Sequence, residues 1–410
     1  MTLRDYTANV ISASKVVPDG AFQSSAASGV WDINEALDLI KGGNWPTTGN
    51  IDPASFVDNL FQIHIYDGNT TGTTATNQIT NGIDLANKGG LVWIKRRDGG
   101  ETASHHALVD TVRGGTKELA TNSNAASLTA DSSQNIAFNN NGFTITGYYL
   151  KNALINYSGS NYVSWTFRKQ PKFFDIQTYT GDGTNGRSVS HDLGSTPGMI
   201  ILKRTDASST DDWQVFHRYA TNKRWEPNNT DAAAVTTIWG SGPTSTNFTV
   251  DNASFSNESG ATYIAYLFAH NNNDGGFGEP GDQDIIKCGN YTTDSNEDAT
   301  IDLGFEPQFV MFKRADSSTG GDWNVYDTMR GMQGDFLSQA ALLEWNTTDS
   351  EDSTTNRIAI TPTGFKVDNY GASRTYIYMA IRRGGMQTPT TATDVFDVNT
   401  HSNNSNSNIF

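Results

Sequence analysis

The side chains with the most chemical potential in this sequence stand in a pattern that occurs three times. Lys313-Arg314-Ala315-Asp316 is followed by Asp322-Trp323, Lys203-Arg204-Thr205-Asp206 by Asp212-Trp213, and Lys95-Arg96-Arg97-Asp98 by His106. An indole beside carboxylates can serve as a sugar platform, because the C–H face of a sugar stacks on the ring while its hydroxyls bond to the acids. Asp98, His106, Asp206, Trp213, Asp316 and Trp323 are therefore the candidate ligand contacts. Each also has a structural reading: the Lys stem covers core while its head reaches water, the Asp caps a turn through backbone N–H groups, and the Trp packs. Occurrence in triplicate argues against catalysis, since one chain does not need three copies of a catalytic group.

Other chemistry is sparse. His105 and His106 are adjacent, so on a strand they face opposite ways, and no histidine has zinc-ligand spacing. The acidic runs 294–298 and 349–352 lack the Gly and closing Glu of a calcium loop; they read as solvated loops, with weak calcium binding as the alternative. Neither a nucleophile elbow, a P-loop nor a dinucleotide fingerprint is present. We expect no catalytic residue, no metal and no cofactor.

The elements that must position the repeated residues are short strands. Lys95, Lys203 and Lys313 are about 110 residues apart, which marks a repeated unit. In each copy the Lys ends an apolar run (91–95, 199–203, 309–313) that is apolar on both faces, as a covered central strand is. A second strand follows (107–109, 213–216, 323–327), then a Gly/Asn-Phe strand (142–146, 247–250, 364–367) and an aromatic closing strand (162–168, 263–268, 376–381). Hydrophobic residues make up 36% and aromatics 11%, with Gly, Ser, Thr, Asn and Asp between the runs, the profile of strands joined by turns.

The expected fold class is mainly β: an N-terminal segment with a short helix, then three tandem antiparallel β-sandwich domains, jelly-roll or lectin-like. The boundaries are 1–60 for the segment, 61–170, 171–272 and 273–383 for the repeats, and 384–410 for a linker and tail. The helix spans 33–41, with Asp32 as cap, Glu35 at the capping-box position and Gly42-Gly43 as stop. Ile33, Leu37 and Ile40 form its apolar face and Trp31 and Trp45 bracket it, so these five are candidate attachment residues, docking on the chain's own first repeat or on a neighbour. The Asn/Gly/Pro stretch 271–281 reads as an exposed hinge.

The 410 residues carry a net charge of −16, which argues against a nucleic-acid surface. No apolar run reaches the length of a membrane span and no secretory signal pattern begins the sequence. The single cysteine, Cys288, excludes an intrachain disulfide and reads as a small buried hydrophobe.

The repeated Tyr-Thr-Gly-Asp-Gly, Asp-Leu-Gly-x-x-Pro, Lys-Arg-x-Asp and Trp-x-Val elements, with the closing Gly-Ala-Thr-Tyr-Ile-Ala-Tyr-Leu-Phe, resemble repeats of virion structural proteins of marine bacteriophages, often tail or fibre proteins. The 28–46 stretch is similar to a leader of phage tail and capsid-surface proteins. The resemblance implies a non-enzymatic virion part, made in the host cytoplasm, attached by its N-terminal segment and projecting its β-domains toward a host-surface glycan or protein. Other virion proteins and further copies of the chain, as a homotrimer, are the implied partners. A capsid decoration or head-fibre protein is one alternative and a tail polysaccharide depolymerase another. The segment 393–398 is commonly followed by further sequence in such proteins, so the natural chain is expected to continue beyond Phe410.

Overall fold

The computed structural model describes residues 56–385, apart from 100–103, 132, 207–210, 232, 279–280, 317–320, 337–339 and 355–356. The expected helix 33–41, with Trp31, Ile33, Leu37, Ile40 and Trp45, and the tail from 386 lie outside the described residues.

The first repeat comprises β1 (Phe61–Asp67), β2 (Thr76–Thr80), a helical turn α1 (Leu85–Lys88), β3 (Gly90–Arg96), β4 (Ala107–Asp110), β5 (Lys117–Glu118), β6 (Leu128–Thr129), β7 (Asn135–Asn139), β8 (Gly142–Thr146) and β9 (Asn161–Arg168). The second holds β10 (Phe174–Thr180), β11 (Arg187–Ser190), β12 (Pro197–Arg204), β13 (Gln214–His217), β14 (Lys223–Arg224), β15 (Ala234–Val235), β16 (Asn247–Val250) and β17 (Thr262–Ala269). The third holds β18 (Ile286–Thr292), β19 (Ala299–Asp302), β20 (Pro307–Arg314), β21 (Asn324–Asp327), β22 (Leu343–Glu344), β23 (Ile358–Thr361), β24 (Gly364–Val367) and β25 (Thr375–Arg382). The chain is mainly β, and its paired strands are antiparallel.

One strand order recurs. The large sheets run β1-β9-β3-β4, β10-β17-β12-β13 and β18-β25-β20-β21-β22. The closing strand of each repeat thus lies between its opening strand and its apolar central strand, as in the register Trp93↔Trp165. A smaller sheet accompanies each: β2-β8-β7, β11-β16 and β19-β24-β23.

Strand alternation sends the central strands into two cores. Val92 and Ile94 of β3 pack with Ile79, Ile136, Phe143 and Ile145 of their own small sheet, and Val310 and Phe312 of β20 do so with Ile301, Ile358 and Phe365. The other face carries Leu91 and Trp93, Met199 and Ile201, and Phe309 and Met311, and these belong to one core shared by all three repeats. Phe309 is a hub there, with ring centroids 5.6 Å from Phe61, 6.2 Å from Trp165 and 6.5 Å from Trp93 and Phe167. The core therefore does not divide at the repeat boundaries.

The stretch between the second and third repeats is not the exposed hinge expected from its composition. Asn271 is 1% exposed and Phe277 3%. The Asn271 amide donates to Lys172 O and its Oδ1 accepts from the backbone N–H groups of Ile285 and Ile286. A side chain that satisfies three backbone groups stitches the connection down, and polar composition alone does not reveal such bonds. Cys288 is buried, as expected, and burial pushes its thiol up to about 12.

Candidate functional site

The Lys-Arg-x-Asp elements lie where one repeat meets another. Lys95, Lys203 and Lys313 end strands whose alternation aims them at the shared core, and they are only 1%, 0% and 0% exposed. Their heads do not reach water, contrary to expectation. Lys95 Nζ donates to Ser104 O and, from the third repeat, Thr348 O, both at 2.9 Å. Lys203 Nζ donates to Asp211 O at 2.8 Å and, from the first repeat, Asn124 O at 3.1 Å. Lys313 Nζ donates to Gly321 O and lies 5.8 Å from the Trp323 ring centroid. Burial lowers all three ammonium groups to about 8, while nearby acids, Asp349 for Lys95 and Asp211 for Lys203, oppose the shift.

The adjacent Arg and Asp tie strand ends together. Asp98 accepts from Arg96 and from the Asn161 N–H that starts β9; Asp206 does the same with Arg204 and Thr262, and Asp316 with Arg314 and Thr375. Hydrogen bonds from Arg204 hold the Asp206 carboxyl below its usual range. Partial burial raises Asp98 and Asp316, but the bonds from Arg96 and Arg314 outweigh it and both end lowered. These carboxylates cap turns.

His106, Trp213 and Trp323 are 0%, 0% and 1% exposed, so they cannot form the ligand platform considered for them. His106 and Trp213 are spent on the joints between repeats, and Trp323 on packing within its own repeat. Trp93 Nε1 donates to His106 Nδ1 at 2.9 Å, which leaves Nε2 as the donor to Glu344 O of the third repeat at 3.1 Å. Burial, reinforced by the Lys95 charge, keeps this imidazole far below its ordinary pKa. Trp213 Nε1 reaches Ala120 O and Ser123 O of the first repeat. The Trp323 ring meets Trp345 edge-on at 5.4 Å.

The joints follow one cyclic order. The loop after β5 of the first repeat reaches the second, through Asn124 to Lys203 and Ser127 N to Thr205 O. The corresponding loop of the second reaches the third, with Gly321 N donating to Thr230 O. The third closes the circuit on the first: Glu351 N donates to Arg97 O, and Arg97 grips the Glu351 carboxylate with two bonds of 2.7 and 2.9 Å. A second set keeps the same order. Asp110 accepts from Tyr266, Trp165 donates to Asp327, and His217 Nε2 bonds Tyr378 O. Sequence reasoning missed the Asn that recurs in these loops: Asn122, Asn228 and Asn346 accept the backbone N–H of His106, Trp213 and Trp323. Its threefold recurrence was the available signal.

Open grooves lie at the other end of the central strands, away from the Lys-Arg-x-Asp turns. One of 540 Å³ surrounds the start of β12 and includes Lys172, Arg218 and His270. One of 480 Å³ surrounds the start of β20 and includes Glu306, Thr328 and Arg383. They are equivalent: Pro197 pairs with Ala269 just before His270, and Pro307 with Arg382 just before Arg383. In the first repeat α1 leads into this point, with Leu85 buried. Among the described residues no group of three or more His, Cys, Asp or Glu is placed to hold a metal, and no helix is long and apolar enough to cross a membrane.

The region 57–383 matches a family model described as a domain of unknown function, DUF7483. The chain belongs to that family. The DUF7483 region spans all three repeats as one unit, which agrees with the core and the joints that they share. No match to the chain is found among curated proteins or solved structures.

Proposed function

We propose that this chain is a non-enzymatic structural and attachment component of a bacteriophage particle, a tail or fibre part, held by its terminal segments and presenting the three-repeat body outward. The observation that carries this reading is the meeting of the body's two ends. Gly385 N donates to both carboxylate oxygens of Asp58 at 3.1 Å, so the two ends of the described body lie side by side. A body tethered at one place keeps its remaining surface free for contact. In keeping with a non-catalytic role, the buried groups of Lys95, Lys203, Asp110 and Asp327 are engaged in joints between repeats instead of converging on a cleft.

We further read each repeat as a small jelly-roll or lectin-like sandwich of one large and one small sheet. A homotrimer, implied by the resemblance to fibres, would be built through outer faces or terminal segments, because the inner faces are already covered within one chain. A capsid decoration protein is the second reading, favoured by the closed circuit of repeats, which gives less reach than a string of domains.

Cryo-EM of particles carrying the protein tests the proposal. Density for the body at the tail or fibre supports the first reading, and density lying on the shell supports the second. If a chain truncated to 56–385 binds particles that lack the protein as well as the full chain does, terminal attachment is wrong.

A further inference from the structure

We propose that the 540 Å³ cavity at the start of β12 binds an acidic sugar, one or a few rings bearing a carboxylate or a sulfate ester. This deepens the attachment reading by naming a ligand class, but it rests on the cavity alone.

Charge is the first argument. In a chain of net charge −16 this cavity gathers Arg218 and Lys172 with one acid, Asp274. An Asp274 carboxylate oxygen is already engaged by the Asn272 N–H at 2.8 Å. Among the described residues the Arg218 guanidinium forms no ion pair, and it makes one long hydrogen bond of 3.5 Å to Cys288 O. Elsewhere Arg204, Arg314 and Arg330 each hold a carboxylate. An unpaired guanidinium in a concave site is ready for bidentate bonds to an oxyanion.

The remaining lining argues for a sugar over a lone anion. The volume lies within the roughly 300–1,000 Å³ of small-molecule sites, far more than one oxyanion fills. Ser195 Oγ is buried without a hydrogen-bond partner, and Ser241 and Ser245 add further hydroxyls that both donate and accept. Pro243, which is partly exposed, supplies apolar surface for C–H groups. His270 Nδ1 accepts from Cys288 N, so Nε2 carries the proton and is a neutral donor at pH 7, with burial and the Arg218 and Lys287 charges lowering the ring to about 4. So mixed a lining suits neither a lipid nor a phosphate track.

The equivalent groove in the third repeat differs in one decisive respect. Arg383, at the His270 position, is paired to Glu306, so the cation there is neutralised. The groove of the third repeat is therefore not a second such site.

Isothermal titration of the full chain with oligogalacturonate, a sulfated carrageenan oligosaccharide, neutral maltotriose and inorganic phosphate tests this. Saturable binding of at least one acidic oligosaccharide is expected, at one equivalent per chain and at least tenfold tighter than maltotriose or phosphate. Arg218→Gln, at an exposed position, should weaken it at least tenfold with an unchanged melting temperature, and Arg383→Gln should leave it intact. Absence of saturable binding, equal affinity for maltotriose or phosphate, or indifference to Arg218→Gln overturns the proposal. Particle attachment is read in a separate experiment, so either idea can fail without the other.

Discussion

Lys203 donates from inside the protein to carbonyls of two different repeats, and this double engagement makes a buried ammonium tolerable. Replacing it with Met keeps the stem but leaves Asn124 O and Asp211 O short of a donor. We expect Lys203→Met to cost about 1–3 kcal/mol, read as a lower urea midpoint. Burial also fixes the sign of the pH dependence. Lys95, Lys203 and Lys313 titrate near 8 when folded against 10.5 when unfolded, so between those values the unfolded chain binds more protons and stability rises with pH. Below 8 the penalty for the buried charges is fully present. His217, which burial pushes to about 4 from 6.5, acts in the same sense: its contribution is lost as pH falls from 6.5 toward 4. The urea midpoint should climb between pH 7.5 and 9.5, and Lys203→Met should remove about a third of that climb. Above pH 10 the buried tyrosines Tyr179, Tyr266 and Tyr291, raised well above 10.0, oppose it.

At the scale of elements, the central strands are covered on both faces, and the two covers differ in origin. One is the repeat's own small sheet and the other is the remaining repeats. Phe309 serves the second. Phe309→Ala is expected to cost about 3–5 kcal/mol, measured by equilibrium denaturation, because the rings around it belong to other strands and cannot close in together. Strand-to-strand closeness between repeats has its own requirement at Gly198, where a Cβ would come within 2.8 Å of the Cβ atoms of Cys288 and His270. Gly198→Ala should therefore lower the melting temperature and raise the rate at which Cys288 reacts with a thiol reagent. In the native protein that thiol should stay unmodified until unfolding, since it is fully buried.

For the whole molecule, the closing contact between the third repeat and the first matters most, because it converts a row of repeats into a circuit. Arg97 and Glu351 are 254 residues apart in sequence yet form a two-pronged, half-buried pair. We expect a single cooperative unfolding transition, with calorimetric and van't Hoff enthalpies in agreement. A chain ending at 272 would lose the Phe309 hub and expose Trp93 and Trp165; it should fail to give dispersed NMR spectra and should aggregate. A stably folded 56–272 fragment would show that the repeats stand alone.

The sequence by itself determined the main strands and their succession along the chain, while their order within the sheets came only with the fold. Alternation, recurrence at about 110 residues and the turn residues are local properties, so the apolar runs 91–95, 199–203 and 309–313 fell inside β3, β12 and β20, and the closing runs inside β9, β17 and β25. The turn-capping role of Asp98, Asp206 and Asp316 was legible for the same reason: their partners are an arginine two residues away and the start of the neighbouring strand. Lys95 shares a face with Leu91 and Trp93, and its head, expected in water, is buried there. What covers that face was decided only in the tertiary structure, because a strand pattern records that a face is buried and not by what. Hence His106, Trp213 and Trp323 could pass for ligand contacts and 271–281 for a hinge, while the grooves, assembled from segments far apart in sequence, left no local trace.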